Sequence, residues 1–237
     1  MSKRQEVRER RRKEKQQRKM ITLGAIIIGA GLIAAVLIYP SIAMENAGIE
    51  FSSRYMADDN AMGNPDAPIK IVEFSDYKCG HCGAFTFETE PLLEEEYIST
   101  DKVYFVYRTV GGMIGGPESL LASEASYCAG EQNMFWEMHD IIFANQSASF
   151  SEGTMNKWAK TIGADEDEFK ACMSEERYLE RATQDEADAK TAGVSGTPSF
   201  IISYLVDGEV FEQMLPGNYP IEAFRQVIDE GLATVEE

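Results

Sequence analysis

The stretch from Ile71 to Cys82 constrains this chain more than any other. It reads I-V-E-F-S-D-Y-K-C-G-H-C, an apolar strand that runs into a turn and then into two cysteines at the start of a predicted helix. A cysteine is a nucleophile only as the thiolate, which the unpaired N–H groups and partial positive charge of a helix N-terminus stabilise. We therefore predict that Cys79 is the attacking thiol and that Cys82 resolves, by closing a disulfide with Cys79.

Two other uses of a C-x-x-C motif fit this sequence less well. A zinc site usually needs a second closely spaced pair of Cys or His. The remaining cysteines, Cys128 and Cys172, are 44 residues apart, and His139 has no nearby ligand partner. A purely structural disulfide across so short a loop would constrain the unfolded chain very little. The spacing therefore favours redox chemistry, no metal site is predicted, and His139 is interpreted as structural.

Charge is spread unevenly along the chain. Residues 1–19 carry ten Lys or Arg and three Glu, a net charge of +7, and residues 20–39 carry no charge. The remainder has 37 acidic and 12 basic side chains, a net charge of −25, which brings the whole chain to −18. So acidic a body is poorly suited to nucleic-acid phosphates, which need Lys and Arg, and nucleic acid is not expected as a partner.

The twenty residues from Met20 to Tyr39 can cross a bilayer core of about 30 Å as one helix. Their basic flank predicts a cytoplasmic N-terminus and export of everything after Pro40. A cleaved signal peptide is the alternative, since residues 41–43 are mostly small, but its apolar region usually runs only about 7–15 residues. A buried core helix is disfavoured, because the segment is apolar on all sides. The predicted order is a basic cytoplasmic tail (1–19), a single-pass transmembrane anchor in the cell membrane (20–39), a linker (40–62) and an extracytoplasmic domain (63–235).

Local patterns predict that residues 63–235 form a mixed α/β domain. Strands are expected at about 69–75 and 102–110, with a helix from Cys82 to Ile98 that Pro91 kinks. From about 117 to 192 the pattern is helical, and Asp207-Gly208 predicts a hairpin turn. A final helix follows, with one apolar stripe made by Ile221, Phe224, Val227, Ile228 and Leu232. The glycine-rich loop at 111–117 lacks the Lys-Ser/Thr ending of a phosphate-binding loop, which argues against nucleotide binding.

This order of elements resembles the DsbA-like thiol–disulfide oxidoreductases of the bacterial and archaeal cell envelope. The similarity extends over roughly residues 60–235. It rests on G-N-P-D-A-P at 63–68, V-E-F-S-D-Y at 72–77, C-G-H-C at 79–82, F-W-E-M-H-D at 135–140 and G-V-S-G-T-P at 193–198. The resemblance implies an α/β thioredoxin-like fold with an inserted α-helical subdomain, here preceded by one N-terminal transmembrane helix.

The resemblance also assigns roles to residues. Cys79 is expected to be an exposed nucleophile and Cys82 its buried partner. Thr197 and Pro198 would form a cis-proline loop that packs against the dithiol and offers backbone groups to a substrate strand. Glu73 matches the acidic residue that the family buries beneath the disulfide, where a carboxyl with a raised pKa can relay the proton of the buried thiol. No cofactor is implied.

The two residues between the cysteines tune the redox potential. Gly80-His81 matches the pair in protein disulfide isomerase rather than the Pro-His more common in DsbA. His81 beside the thiolate is expected to stabilise the reduced form and to make the disulfide more oxidising, with a potential between roughly −120 and −200 mV. We therefore expect a dithiol oxidase first, while the departure from Pro-His leaves reductase or isomerase activity open.

Cys128 and Cys172 fall on two different predicted helices of the insertion. An exported, oxidising location favours a structural disulfide between them, and two separately buried thiols are the alternative.

The leading hypothesis for the whole chain is a membrane-anchored enzyme that donates disulfides to reduced exported proteins. The resemblance implies reoxidation by a membrane partner of the DsbB or vitamin K epoxide reductase type. A hypothesis of a different class is a tethered binding module or chaperone whose C-x-x-C is idle or holds zinc.

Overall fold

The structure is a computed structural model, and it describes Met20 and residues 53–235. The predicted cytoplasmic tail, the predicted anchor apart from Met20, and the first part of the predicted linker lie outside the described residues. Within the described part, no helix is both long and apolar enough to span a bilayer.

A five-stranded mixed sheet forms the centre of the domain, in the order β1-β3-β2-β4-β5. Strands β2 and β3 are parallel, and every other neighbouring pair is antiparallel. The strands are β1 (Ala61–Met62), β2 (Ile69–Ser75), β3 (Val103–Thr109), β4 (Ser199–Val206) and β5 (Glu209–Pro216). The predicted hairpin turn joins β4 to β5, where Asp207 and Gly208 both adopt positive φ angles, of 52° and 84°.

The first helical region is divided where the sequence predicts one kinked helix. Helix α1 (Gly80–Glu88) and helix α2 (Glu90–Leu93) are separated at Thr89, and a π-helix (Glu94–Ile98) follows α2. Pro91 lies in the first turn of α2. Proline has no N–H and clashes with the preceding turn inside a helix, but it is tolerated at a helix start. The proline therefore marks the beginning of a new helix.

Five helices lie between β3 and β4. They are α3 (Pro117–Gly130), α4 (Phe135–Ala144), α5 (Glu152–Ile162), α6 (Glu166–Ser174) and α7 (Leu179–Thr191). Two of the breaks have clear local causes: Gly163 ends α5 in the left-handed conformation, and the Asp165 side chain caps α6 by accepting from the N–H groups of Asp167 and Glu168. The C-terminal helix, α8 (Ile221–Val235), returns to the sheet after β5.

The predicted linker ends too late in the sequence. Ala61 and Met62 form β1, which pairs with Val106 and Phe105 of β3, so this part of the predicted linker belongs to the sheet. Arg54 also makes ion pairs inside the domain. A two-residue strand is too short to show the alternation by which strands are recognised, and its partner lies more than forty residues away in sequence.

The two faces of the sheet have separate apolar cores. On one face, helices α1 and α8 meet β4 through the rings of Phe85, Phe224 and Phe200, whose centroids lie 4.5–5.6 Å apart. On the other face, Phe74 and Val110 pack with Ala189 and Val194 at the end of α7. The start of α1 is thereby fixed at the carboxyl end of β2, the position occupied by the two cysteines.

Candidate active site

Cys79 is the N-cap residue of α1, immediately after the turn that leaves β2. Its N–H donates to the carbonyl of Asp76 at 2.9 Å, and its carbonyl accepts from the N–H groups of Cys82 and Gly83, both at 3.1 Å. These bonds hold the first turn of the helix, whose free N–H groups are oriented toward the Cys79 side chain. Both Cys79 and Cys82 are free thiols in this structure.

The two thiols have opposite acidities. A hydrogen bond from the Cys82 thiol is the largest cause that lowers the pKa of Cys79, to about 5, and the backbone N–H groups of His81 and Cys82 lower it further, while burial acts against them. Burial is the main cause that raises the pKa of Cys82, and the neighbouring Cys79 and Glu73 add to it. Near neutral pH the pair is therefore a Cys79 thiolate beside a Cys82 thiol.

The expectation that Cys79 is exposed is wrong for this dithiol form. Cys79 is 4% exposed and Cys82 is fully buried. The loop before β4 covers the nucleophile, since the Cys79 sulfur lies 3.4 Å from the carbonyl oxygen of Thr197. Sequence motifs identify the residues of such a loop, but the depth at which it covers the thiol depends on the packed structure.

The peptide bond between Thr197 and Pro198 is cis. Pro198 is buried, and its carbonyl accepts from the N–H of Gly217 at 2.8 Å, which ties the loop to the end of β5. Just before it, Ser195 and Gly196 are exposed. The loop thus brings accessible backbone to the edge of the dithiol, as a substrate-binding segment requires.

Glu73 is fully buried on β2, and neither of its carboxyl oxygens has a hydrogen-bond partner in the described part of the protein. Burial raises its pKa well above the usual value, and the charges of Glu90 and Cys79 raise it further. Burial therefore favours the protonated form of this carboxyl group. Its charge, when present, raises the pKa of Cys82. Glu73 and Cys82 therefore interact electrostatically, as two groups that exchange a proton must.

His81 is exposed in the first turn of α1, between the two cysteines. The other histidine, His139, is fully buried among aromatic rings, and its Nδ1 lies 2.9 Å from Asp140 Oδ1. The geometry thus separates the histidine at the dithiol from the one in the core.

Two residues that support the active-site turn were not predicted from the sequence. Asp76 is fully buried, and its carboxylate accepts from the N–H groups of Lys78 (2.8 Å), Ile114 (2.9 Å) and Gly115 (3.1 Å) and from the hydroxyl of Ser119. The turn before Cys79 is thereby bonded to the glycine-rich loop and to the start of α3.

Gln146 is the second of these supports. Its Nε2 donates to the carbonyls of Tyr77 at 2.8 Å and Cys79 at 2.9 Å, so a residue after α4 holds both sides of the active-site turn. Gly83 makes room for it, because a Cβ at position 83 would lie 2.5 Å from Gln146 Oε1. In the sequence, only the glycine at position 83, within the first turns of a predicted helix, indicates that another group approaches the backbone closely here.

Cys128 and Cys172 form a disulfide that joins α3 to α6, 44 residues apart in sequence. Neither is therefore free to complete a zinc site with the C-x-x-C pair. Within residues 53–235, no group of three or more His, Cys, Asp and Glu side chains is placed to hold a metal ion.

Known proteins share this architecture. The crystal structure of alpha-DsbA1 from Wolbachia pipientis superposes with a TM-score of 0.66, at 22% identity over 77% of this chain and 95% of that one, a likeness in fold. "Probable disulfide bond formation protein D" of Bacillus cereus is 28% identical over 83% of this chain and 94% of its own length.

"Na(+)/H(+) antiporter NhaA 3" of Salinispora tropica is 32% identical over 61% of this chain. The match covers only 22% of that relative's length, so the similarity concerns one part of a much longer protein. A family model described as Thioredoxin matches residues 56–230, which is most of the chain and contains every residue of the site. The chain therefore belongs to the thioredoxin family.

Proposed function

We propose that this protein is a thiol–disulfide oxidoreductase that forms disulfides in other proteins by exchange at Cys79 and Cys82. The single observation that carries the proposal is the opposite acidity of the two thiols. The pKa of Cys79 is lowered to about 5 and that of Cys82 is raised. A stabilised Cys79 thiolate is a good leaving group, and stabilising the reduced form makes the disulfide a stronger oxidant.

The reaction begins from the Cys79–Cys82 disulfide. A substrate thiolate attacks the Cys79 sulfur, the bond between the cysteines breaks, and Cys82 receives the electron pair and takes a proton from Glu73. A second substrate thiolate then attacks the substrate sulfur of the mixed disulfide, and Cys79 leaves as a thiolate. The substrate loses two electrons and becomes a disulfide, while the cysteine pair is reduced.

The substrates we propose are reduced, exported proteins in extended conformation. The loop around Thr197 and Pro198 supports this part of the proposal, because the backbone of Ser195 and Gly196 is exposed beside the nucleophile. Backbone hydrogen bonds to an added strand recognise a polypeptide without selecting its side chains. A disulfide donor that serves many proteins needs that kind of contact.

We further propose that the chain is anchored in the cell membrane by residues 20–39, with the catalytic domain outside the cytoplasm. The support is the uncharged segment with its basic flank of +7. A membrane protein of the DsbB or vitamin K epoxide reductase type would accept the two electrons. Labelling of Cys79 by an impermeant thiol reagent, in intact cells first treated with an impermeant reductant, tests the topology, and protection until lysis contradicts it.

The test of activity uses a reduced protein substrate and two single variants of the full chain. Cys82→Ser should accumulate a mixed disulfide between Cys79 and the substrate, because the resolving thiol is gone. Cys79→Ser should neither form that adduct nor oxidise the substrate. A Cys79→Ser protein that oxidises substrate at the wild-type rate overturns the proposal.

Reductase or isomerase activity is the second candidate, and Gly80-His81 is the observation that favours it, since the pair matches protein disulfide isomerase. Refolding of a protein with scrambled disulfides distinguishes an isomerase from a disulfide donor. An isomerase restores the native pairing without added oxidant, whereas a donor alone does not.

A further inference from the structure

Besides Glu73 and Asp76, a third carboxyl group, Glu90, is fully buried, and it has no part in the exchange described above. It is the first residue of α2 and has no exposed surface. Glu90 Oε1 lies 2.8 Å from Nη2 of Arg54, whose side chain is itself almost completely buried. Burying a carboxyl group costs free energy, and buried carboxyl groups with shifted pKa values are often functional.

Arg54 is shared among three carboxyl groups. Besides Glu90, it contacts Glu94 at 3.1 Å and Asp140 at 3.0 Å, and its guanidinium lies over the ring of Trp136 at 5.5 Å. One positive charge cannot neutralise three carboxylates, so one of the three favours the protonated state. Glu90 is the most deeply buried of them, and its burial raises its pKa to about 8, with Asp140 and Glu94 adding and Arg54 opposing.

The same cluster extends to Glu73. The sheet register places Glu73 beside Tyr107, and the Tyr107 ring packs edge-on against His139 with centroids 4.7 Å apart. His139 is hydrogen-bonded to Asp140, which shares Arg54 with Glu90. The Tyr107 hydroxyl and His139 Nε2 are buried without a hydrogen-bond partner among the described residues. The hydrogen-bonding capacity of both atoms is therefore unused within this cluster.

Titratable groups from several elements surround this cluster, among them Tyr107 of β3. They come from β2 (Glu73), α1 (Cys79 and Cys82), the π-helix (Glu94), α4 (His139 and Asp140) and the segment before β1 (Arg54). After burial itself, Glu90 is the largest cause of the raised pKa of Glu73, so the protonation of the two carboxyl groups is coupled. Glu94 and Asp140 lie at the partly exposed side of the cluster.

We propose that Glu90 is a proton-relay residue that acts through Glu73, carrying the Cys82 proton between the buried dithiol and the partly exposed side of the Arg54 cluster. This inference rests on the proposed function. When Cys82 becomes a thiolate, it takes a proton from Glu73, Glu73 takes one from Glu90, and Glu90 is reprotonated from solvent. On reoxidation the same proton leaves by the reverse path before Cys82 attacks the sulfur of Cys79.

The experiment follows a mixed disulfide of the reduced full chain with glutathione. Oxidised glutathione reacts with the Cys79 thiolate, and release of the second glutathione requires Cys82 to lose its proton. In Glu90→Gln, the mixed disulfide should persist at least about tenfold longer, whereas its formation rate should not change. Glu95→Gln is the matched control, because it makes the same chemical change at an exposed position of the π-helix and should leave both rates unchanged.

The pH profile separates a relay from a merely structural role. The wild-type release rate should rise with a midpoint near the Glu90 pKa of about 8, and Glu90→Gln should lose that rise. Arg54→Met removes the opposing cation and should move the midpoint to higher pH. Unchanged release and pH profile in Glu90→Gln overturn the relay alone. A wild-type protein that forms no mixed disulfide at Cys79 contradicts the proposed function as well.

Discussion

The sulfur of Cys79 lies 3.4 Å from the carbonyl oxygen of Thr197, on the loop whose cis proline follows. The nucleophile and the proposed substrate-binding backbone are therefore in direct contact, although 118 residues separate them in sequence. A substrate strand that bonds to this loop is brought to the Cys79 sulfur by the same contact. This juxtaposition links recognition of a polypeptide backbone to attack on the disulfide.

The acidity of Cys79 gives the first prediction. The rate of its alkylation in the reduced protein should rise with a midpoint near pH 5, since its pKa is lowered to about 5. Cys82→Ala should raise that midpoint, because the Cys82 thiol is the largest cause of the shift. A wild-type midpoint near the ordinary cysteine value of about 8.5 contradicts the arrangement described for the dithiol.

The buried Glu73 gives a prediction about stability. Its pKa is raised in the folded state, so folded protein holds a proton that unfolded protein loses, and stability falls as pH rises above the ordinary carboxyl pKa. In the oxidised protein, where neither active-site thiol titrates, the gain in stability from Glu73→Gln should be larger at pH 7 than at pH 5, growing by at most roughly 1.4 kcal/mol per pH unit.

Urea unfolding at the two pH values measures this gain, with the exposed Glu88→Gln as the control. Equal gains at both values would show that Glu73 titrates normally in the folded protein.

Gln146 and Gly83 are predicted to be energetically coupled. Gly83→Ala alone should cost about 1–3 kcal/mol, because the new methyl displaces the Gln146 amide from the carbonyls of Tyr77 and Cys79. In a Gln146→Ala background the same change should be neutral or stabilising, since alanine is favoured over glycine in a helix by about 1 kcal/mol. Denaturant unfolding of the four proteins gives the coupling, and strictly additive effects would rule out the contact.

The Cys128–Cys172 disulfide should stabilise the helical insertion. Opening a loop of this length by Cys128→Ala with Cys172→Ala is expected to lower the free energy of unfolding by about 4 kcal/mol on the loop-entropy argument. Alkylation of Cys79 in the folded variant should keep its pH midpoint, because neither residue contributes to that pKa. Unchanged stability would mean that the bond adds nothing to the fold.

Local sequence signals predicted the parts of this site that depend on neighbours in the chain. The C-x-x-C at a helix start, the Thr197-Pro198 pair and the turn at Asp207-Gly208 each have a backbone requirement that can be recognised within a few residues. Glu73 was found by the resemblance, through its distance of six residues from Cys79.

The remaining parts depend on contacts between distant segments. Arg54 meets Glu90 across 36 residues, and Gln146 reaches Cys79 across 67. Neither pair shows a periodicity or a motif, because each contact forms only when segments distant in sequence pack together. The same reason explains why β1 was assigned to the linker and why the depth of Cys79 was not foreseen.

The reduction potential of the Cys79–Cys82 pair decides between disulfide donation and disulfide reduction. It can be measured in glutathione buffers, with both thiols followed by alkylation and peptide mass analysis so that the second disulfide does not contribute. A disulfide donor should give a potential between roughly −120 and −200 mV, because the Cys79 thiolate stabilises the reduced form. A potential near the thioredoxin value of about −270 mV would contradict the account and assign the protein to disulfide reduction.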